Sequence, residues 1–238
     1  MKIFTIADLH LALDARVNKP MDMFGAGWED HADRVRENWD AVVGDNDVVL
    51  VPGDISWAMR LDEAMEDLEW IHRRKGRKLL LKGNHDLWWT GVTRLNELYG
   101  DMHFIQNDSV YIEELDCAIA GTRGWPTPGS EEYTEHDEKI YRREVMRLEN
   151  SLKSAAQYNA GRLIVMMHYP PADSRTRQSA FTDLLEAYRV DICVYGHLHG
   201  QIAYGRGIKG RWGGVEYMLT SLDYLGAQPK LILDGDRQ

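Results

Sequence analysis

The segment Lys78-Leu79-Leu80-Leu81-Lys82-Gly83-Asn84-His85-Asp86 passes from apolar residues directly into a group of polar side chains. Its three leucines indicate a buried strand, and Gly83 lets the backbone turn sharply and approach a bound group. Asn84, His85 and Asp86 can bind a metal or exchange a proton. Such polar clusters also form ordinary turns, so the segment has to be judged together with matching segments elsewhere.

Four other apolar runs end in the same kind of polar residue. They are the run 2–7 before Asp8-Leu9-His10, 48–51 before Pro52-Gly53-Asp54, 163–167 before His168-Tyr169-Pro170-Pro171, and 191–195 before Gly196-His197-Leu198-His199-Gly200. Helical spacing separates several of these runs, and strand–helix–strand repetition predicts βαβ units with a mainly parallel sheet. Ligands of such sheets bind at the carboxyl ends of the strands.

The remaining segments predict a two-sheet protein. Helical spacing is present over 28–43, 61–71, 91–99, 135–158 and 181–188. Antiparallel strands are expected at 110–112 and 117–120, and the short runs 202–204, 215–219 and 231–233 are expected to close a second sheet. Trp28 and Trp39 are interpreted as core residues. Without a repeat or a linker, the chain is predicted to form one domain over residues 1–238.

Composition excludes several classes of function. The chain has 238 residues, 44% of them hydrophobic and 28% charged, and a net charge of −10. That charge argues against a broad surface for nucleic acids or anionic membranes. The N-terminal apolar run is too short for a signal peptide, and no run approaches the ~20 residues of a membrane span. We therefore expect a cytoplasmic protein in which Cys117 and Cys193 are buried thiols.

The polar residues at the strand ends have the chemistry of a metal site. Seven of them are candidate metal ligands: Asp8, His10, Asp54, Asn84, His168, His197 and His199. Oxygen and imidazole donors without a thiolate suit Mn²⁺, Fe, Zn²⁺ or Co²⁺, and we favour Mn²⁺. Seven donors are too many for one tetrahedral ion and match two ions that share a carboxylate. Two-metal sites of this kind, with ions ~3.5–4 Å apart, bind phosphoryl oxygens and activate water.

Taken in order, these segments resemble the signature of the calcineurin-like metallophosphoesterase superfamily. The blocks are Asp8-x-His10, Gly53-Asp54, Gly83-Asn84-His85-Asp86, His168 and Gly196-His197-x-His199, which together span residues 8–199. Each block is weak alone, and five in the family's order are specific. The resemblance implies an α/β fold, a four-layer α/β/β/α sandwich of two mixed sheets flanked by helices, with the metal site at the C-terminal ends of the strands.

The resemblance also implies roles for these residues. Asp8, His10 and His199 would hold one ion, Asn84, His168 and His197 the other, and Asp54 would bridge the two. His85 is similar to the family's catalytic histidine, which contacts phosphate or protonates the leaving group. The implied reaction is hydrolysis of a small-molecule phosphomonoester or phosphodiester by a metal-bridging hydroxide.

One departure from the family pattern is informative. Protein Ser/Thr phosphatases of the superfamily carry an aspartate and an arginine soon after the Gly-Asp block, where this chain has Trp57 in place of the aspartate. The resemblance is therefore closer to the family's smaller bacterial-type phosphodiesterases and phosphatases. The partner of His85 stays unassigned. Asp86 is a candidate only by adjacency, and orienting the turn is the role we favour for it.

Several alternatives remain open at the level of sequence. Arg123, between two glycines, could contact a substrate phosphate or be a solvated loop residue. The loop over residues 11–27 could overhang the site or pack on the surface. The chain could be a non-catalytic metal-binding interaction module on the same fold. A nuclease is disfavoured because no basic or aromatic-interleaved track is present. Neither the natural substrate nor the oligomeric state follows from the sequence.

Overall fold

The computed structural model describes residues 1–25 and 27–237. The strands are β1 Lys2–Thr5, β2 Val48–Val51, β3 Arg77–Leu81, β4 Met102–Ile105, β5 Ser109–Ile112, β6 Cys117–Thr122, β7 Arg162–Met167, β8 Ile192–Tyr195, β9 Gly210–Trp212, β10 Val215–Leu219 and β11 Lys230–Asp234. The helices are α1 His31–Val42, α2 Leu61–His72, α3 Val92–Leu95, α4 Glu138–Ala156, α5 Ala180–Ala187 and α6 Gly200–Tyr204. Short 3₁₀ segments occupy Met21–Phe24, Glu113–Leu115, Glu135–Asp137 and Gly235–Arg237.

The strands form two mixed sheets. The first has the order β11-β1-β2-β3-β4, in which β1 to β4 are parallel and β11 is antiparallel. The second has the order β5-β6-β7-β8-β10-β9, in which β5 and β9 at the edges are antiparallel to their neighbours. Parallel strands need crossover connections, and the helices between them supply these.

Three apolar clusters separate four layers of structure. The central cluster contains Leu50 and Leu79 from the first sheet together with Ile119 and Ile164 from the second. A second cluster packs α1 and α2 against the opposite face of the first sheet. The third packs α4 and α5 against the opposite face of the second sheet. The chain therefore has the predicted α/β/β/α sandwich, because each sheet buries both of its faces.

The two sheets meet at the carboxyl end of β1. Beyond β1, the Ile6 N–H donates to the Leu50 carbonyl in the first sheet at 3.1 Å, and the Ala7 N–H donates to the Thr220 carbonyl beyond β10 at 2.8 Å. Asp8 then donates its N–H to the Gly53 carbonyl at 3.0 Å. These bonds hold the strand ends of both sheets at one common edge.

The tail of the chain departs from the sequence-based prediction in two places. The run 202–204, predicted as a strand, lies in helix α6, where the side chain of Ile202 is 85% exposed and so offers no buried strand face. The run 231–233 does form a strand, but β11 pairs with β1 in the first sheet instead of closing the second. Two strands are absent from the sequence-based prediction: β9 in the tail, and β4 in the middle of the chain.

Two further expectations concern buried thiols and membrane spans. Cys117 and Cys193 are both free and buried, as predicted. Among the residues described, no helix combines the length and the apolar character that a membrane crossing requires.

Candidate metal centre

All seven candidate ligands lie at the common edge where the parallel strands end. Asp8 and His10 follow β1, Asp54 follows β2, Asn84 follows β3, His168 follows β7, and His197 and His199 follow β8. They reach this edge from both sheets, since residues far apart in sequence are brought together by the parallel order of the strands.

The donor atoms of Asp8, His10 and His199 form one group, all within 4.8 Å of one another. The Nε2 atoms of His10 and His199 lie 3.4 Å apart. Asp8 and His10 are buried, while His199 is partly exposed. A carboxylate and two imidazoles in this arrangement could hold a metal ion.

A second group of donors lies beside the first. The Asn84 Oδ1 is 2.7 Å from His168 Nε2 and 3.0 Å from His197 Nδ1. Asp54 Oδ2 is 3.4 Å from His168 Nε2 and 3.7 Å from His10 Nε2, so this carboxylate lies between the two groups. Asp8, Asp54 and His168 also bring donor atoms within 4.8 Å of one another, which places Asp8 near both groups.

Outer partners orient three of the imidazoles. His168 Nδ1 donates to the Pro52 carbonyl at 3.1 Å, and His199 Nδ1 donates to Asp223 Oδ1 at 3.0 Å. These bonds leave Nε2 of both rings free to face the site, as is usual for metal-binding histidines. His197 Nε2 lies 3.3 Å from Glu132 Oε2.

Asp223 and Glu132 were missed by reasoning from sequence. Asp223 could have been found, because it follows strand β10 at the same edge and so obeys the rule that identified the other residues. It also accepts a hydrogen bond from the Gly200 N–H at 3.0 Å. Glu132 lies in the long segment between β6 and α4 and does not follow closely on a strand end, so no comparable signal marked it.

The electrostatics of the group fit a cation. Asp8 and Asp54 are 0% and 1% exposed, and among the described residues neither carboxylate forms an ion pair with a lysine or arginine. Burial, together with the neighbouring Asp54 charge, raises the pKa of Asp8 to about 6, against the opposing effect of His199. Burial also holds the pKa of His10 and of His168 well below its usual range. His199 differs: burial lowers its pKa, but the hydrogen bond to Asp223 and the charges of Asp8 and Asp54 outweigh this and raise it. Imidazoles beside buried carboxylates that no lysine or arginine neutralises are a donor set that a divalent metal can bind.

The backbone at these positions is strained. Asp8, His10, Asp54 and His197 have φ values of 61°, 45°, 50° and 71°, in the left-handed region that L-residues seldom occupy. Each such residue costs on the order of 1–3 kcal/mol, and strain of this kind clusters at functional sites. The strain turns four donor side chains toward one point.

His85 lies next to the donor groups and contacts them through its backbone. Its N–H donates to Asp54 Oδ1 at 2.8 Å, and its ring centroid is 5.6 Å from that of His10 and 4.2 Å from that of Trp57. Trp57 also stacks on His10 at 4.7 Å. Among the described residues, the His85 ring has no hydrogen bond to a carboxylate, and its ring contacts are with Trp57 and His10. Burial lowers the pKa of His85.

Asp86 orients the turn, which is the role favoured for it from sequence. It is fully buried and accepts backbone N–H bonds from Ile55 at 2.9 Å, Ser56 at 3.1 Å and Gly83 at 2.7 Å. The Trp88 indole also donates to it at 3.0 Å. The carboxylate thereby ties the loop after β2 to the loop after β3. Burial raises its pKa to about 7.

A cavity of about 370 Å³ opens over the donor groups. Its wall combines His10, His85 and His199 with apolar side chains, among them Met21, Phe24, Trp28 and Trp57. In the described part of the 11–27 loop, Met21 and Phe24 therefore overhang the site, which is one of the two alternatives left open by the sequence. Trp28 is 4% exposed, as expected of a core residue, and its ring also meets that of His199 at 5.2 Å.

Arg123 is placed beside the donor groups and turns its guanidinium away from them. Its carbonyl accepts N–H bonds from His168 at 3.1 Å and Tyr169 at 2.9 Å. The guanidinium lies 3.4 Å from Glu144 Oε1 and 4.6 Å from the Trp125 ring centre. The Arg123 side chain is thus not a solvated loop arginine, and its guanidinium contacts Glu144 and Trp125. A contact between Arg123 and a substrate phosphate stays a prediction.

Known proteins share both the sequence pattern and the fold. The family described as calcineurin-like phosphoesterase matches residues 1–201. The "Gene 66 protein" of Mycobacterium phage D29 is 26% identical over 200 residues, which are 84% of this chain and 79% of that protein. Among solved structures, phosphopantetheinyl hydrolase from Mycobacterium tuberculosis superposes with a TM-score of 0.58 at 16% identity, covering 98% of this chain and 95% of the other. A protein of unknown function from Aquifex aeolicus gives 0.51 at 14% identity, with 97% and 95% covered.

Proposed function

The chain belongs to the calcineurin-like phosphoesterase family, and from this we propose that it hydrolyses phosphoester bonds of small molecules with two divalent metal ions. The observation that carries the proposal is the position of Asp54. Its Oδ2 lies within 3.7 Å of His10 Nε2 on one side and 3.4 Å of His168 Nε2 on the other. One carboxylate between two imidazole groups is the arrangement that two ions with a shared ligand need.

In this proposal, the ligand groups divide as the family resemblance implies. Asp8, His10 and His199 hold one ion, and Asn84, His168 and His197 hold the other, with Asp54 shared. Mn²⁺ is the favoured metal, since oxygen and imidazole donors without thiolate suit it. When bound, the two ions supply positive charge for the phosphoryl oxygens and an activated water.

His85 acts in this proposal at the leaving oxygen. It lines the same cavity as His10 and His199, yet among the described residues its ring belongs to neither group of donor atoms. Its pKa is lowered by burial in the free protein, and the negative charge of a bound phosphate would favour its protonated form. A proton held over the cavity can then be donated as the ester bond breaks. The apolar wall formed by Met21, Phe24 and Trp57 would contact the rest of the substrate.

The test is a panel of phosphomonoesters and phosphodiesters with added Mn²⁺, comparing kcat/KM across the panel. Asp54→Asn serves as the paired variant, because it weakens the ligand shared by both ions, so metal content and turnover should fall together. Metal content is measured on the purified protein. Two bound metals with no turnover on any ester would contradict the proposal and identify a non-catalytic metal-binding interaction module instead.

A further inference from the structure

A basic cavity of about 280 Å³ lies at the same edge as the donor groups, beyond the carboxyl ends of β3, β4 and β6. Lys82, Arg123, Arg143 and Arg147 line it, and Glu144 is the only acidic residue among its described lining residues. Its volume is near the lower end of the ~300–1,000 Å³ range of small-molecule sites. The surplus of positive charge is opposite in sign to the net charge of −10 of the chain.

Glu144 does not balance the cations around it. Its side chain is fully buried, and its Oε1 lies 2.8 Å from Arg147, 3.4 Å from Arg123 and 3.9 Å from Arg143. Its Oε2 accepts a hydrogen bond from the Thr122 hydroxyl at 2.9 Å. One carboxylate can offset one guanidinium, so a surplus of two arginine charges and that of Lys82 remains among the described lining residues; Asp86, which does not line the cavity, also attracts Lys82.

Two of the cations have donors without partners. The Nε of Arg123 is buried and has no hydrogen-bond partner among the described residues. The whole side chain is only 18% exposed, so water has little access to this donor. Lys82 is half-buried, and no carboxylate in the described part of the chain pairs with it. Uncompensated charge and unmade hydrogen bonds in a partly buried site are costly unless a ligand satisfies them.

We propose that this cavity binds a phosphate group at a site separate from the metal centre. A surplus of about three positive charges matches a phosphate better than a carboxylate, which carries a single negative charge. The planar guanidinium of arginine can donate two parallel N–H hydrogen bonds to the oxygens of a phosphate. Arg143 and Arg147 lie four residues apart on α4, so their guanidinium groups lie on the same face of the helix. The phosphate belongs either to a second position on the substrate or to a free ion.

The experiment is a calorimetric titration of the full-length, metal-loaded protein with sulfate, a tetrahedral dianion. Arg143→Gln and Arg147→Gln remove pocket charges whose side chains are 53% and 35% exposed. Arg142→Gln is the matched control, since Arg142 is 75% exposed on the same helix and pairs with Glu138 outside the cavity. We expect saturable binding that weakens roughly tenfold or more in each pocket variant, the size of one charge-assisted hydrogen bond, and stays unchanged in the control.

Lys82→Gln is a third pocket variant, chosen because it leaves every arginine paired with Glu144 in place. Circular dichroism checks that each variant is folded. Equal sulfate affinity in the wild type and all pocket variants, or no saturable binding to the wild type, would overturn the proposal.

Kinetics separate the two sources of the phosphate. The claim that a substrate phosphate occupies this cavity rests on the proposed hydrolase function. The sulfate titration does not depend on hydrolysis, so anion binding and the proposed function can each fail without the other. If the occupant is a second substrate phosphate, the pocket variants raise KM for adenosine 3′,5′-bisphosphate and not for adenosine 5′-monophosphate. If it is a free ion, both KM values stay as in the wild type while sulfate binding weakens.

Discussion

Replacing Gly83 by alanine should displace the carboxylate that lies between the two donor groups. A Cβ atom at position 83 would lie 2.1 Å from Asp54 Oδ1 and 2.2 Å from the Asp54 nitrogen, where ordinary contacts begin at 3.4 Å. The Asp54 backbone and its carboxylate must therefore both move by at least about 1 Å relative to residue 83. The Gly83 N–H is also held by Asp86 Oδ2 at 2.7 Å, so the turn itself cannot give way freely.

The expected size of the effect follows from this displacement. A misplacement of about 1 Å in a catalytic group can cost roughly 10²-fold in rate, so kcat/KM on any ester the protein cleaves should fall by about that factor. Metal content should fall at both sites together, since Asp54 faces both groups. Overpacking costs about 1–3 kcal/mol, which lowers Tm by roughly 2–12 °C for a domain of this size.

The assay combines metal analysis of the purified variant, thermal unfolding and steady-state kinetics. Gly91→Ala is the matched control, because a Cβ there meets nothing within 4 Å and the residue has a φ of −59°. The control should keep its metals and activity, with a stability loss of no more than about 1 kcal/mol, since Gly91 is the N-cap of the short helix α3. A Gly83→Ala protein with two metal equivalents and wild-type kcat/KM would refute the reasoning about Asp54.

Three further predictions concern protons. His85→Ala should keep both metals and the fold and lose roughly 10²–10⁴ in kcat, with a smaller loss for p-nitrophenyl esters because their leaving group needs little protonation. Lowering the pH should release the metals as the ligand histidines protonate, beginning with His199, whose pKa is raised, and activity should return on neutralisation with added Mn²⁺. Asp67 is buried, and burial raises its pKa to about 6. The folded protein therefore keeps a proton on Asp67 up to a higher pH than the unfolded chain does. The free energy of unfolding that this bound proton contributes is therefore lost as pH rises from about 3.8 to 6. Asp67→Asn has no such loss, so in urea unfolding between pH 5 and 7.5 its stability relative to wild type should increase and reach about 3 kcal/mol at pH 7.5.

Each of these predictions has its own control and contrary outcome. His72→Gln, on α2 and paired with Asp101, controls for loss of a histidine, and equal losses on good and poor leaving groups would leave His85 as a phosphate contact at most. Failure of activity to return with metal after acid treatment would indicate unfolding. A pH-independent stability difference for Asp67→Asn, measured with a chelator present, would contradict the assignment of the shift to burial of Asp67.

Most strands and crossover helices were predictable because their signals are local, whereas the four-layer order was predicted from the family resemblance. Short apolar runs such as 48–51 and 78–81 predict strands wherever both faces of a sheet are buried, and helical spacing between them predicts crossovers. Failures occurred where the local signal is weak. The run 202–204 is as apolar as a strand and only three residues long, and β11 has no local feature that selects β1 as its partner over the second sheet.

The candidate ligands were predictable for a similar reason. Asp8, Asp54, Asn84 and His168 each follow a strand directly, and parallel strands bring their carboxyl ends to one edge. Strand order then decides which ends are neighbours, and this order is a property of the folded sheets. The 3.4 Å between His168 Nε2 and Asp54 Oδ2 joins residues from different sheets.

The sequence by itself determined the residue types, their positions at strand ends and hence the chemistry open to the site. Only the tertiary structure decided the surroundings of those residues. Asp223 behind His199, Trp57 against His85 and the surplus of arginines around Glu144 all arise from contacts between elements distant in the chain. Periodicity reports which face of an element is buried, and the partner across that face is selected only when the layers pack.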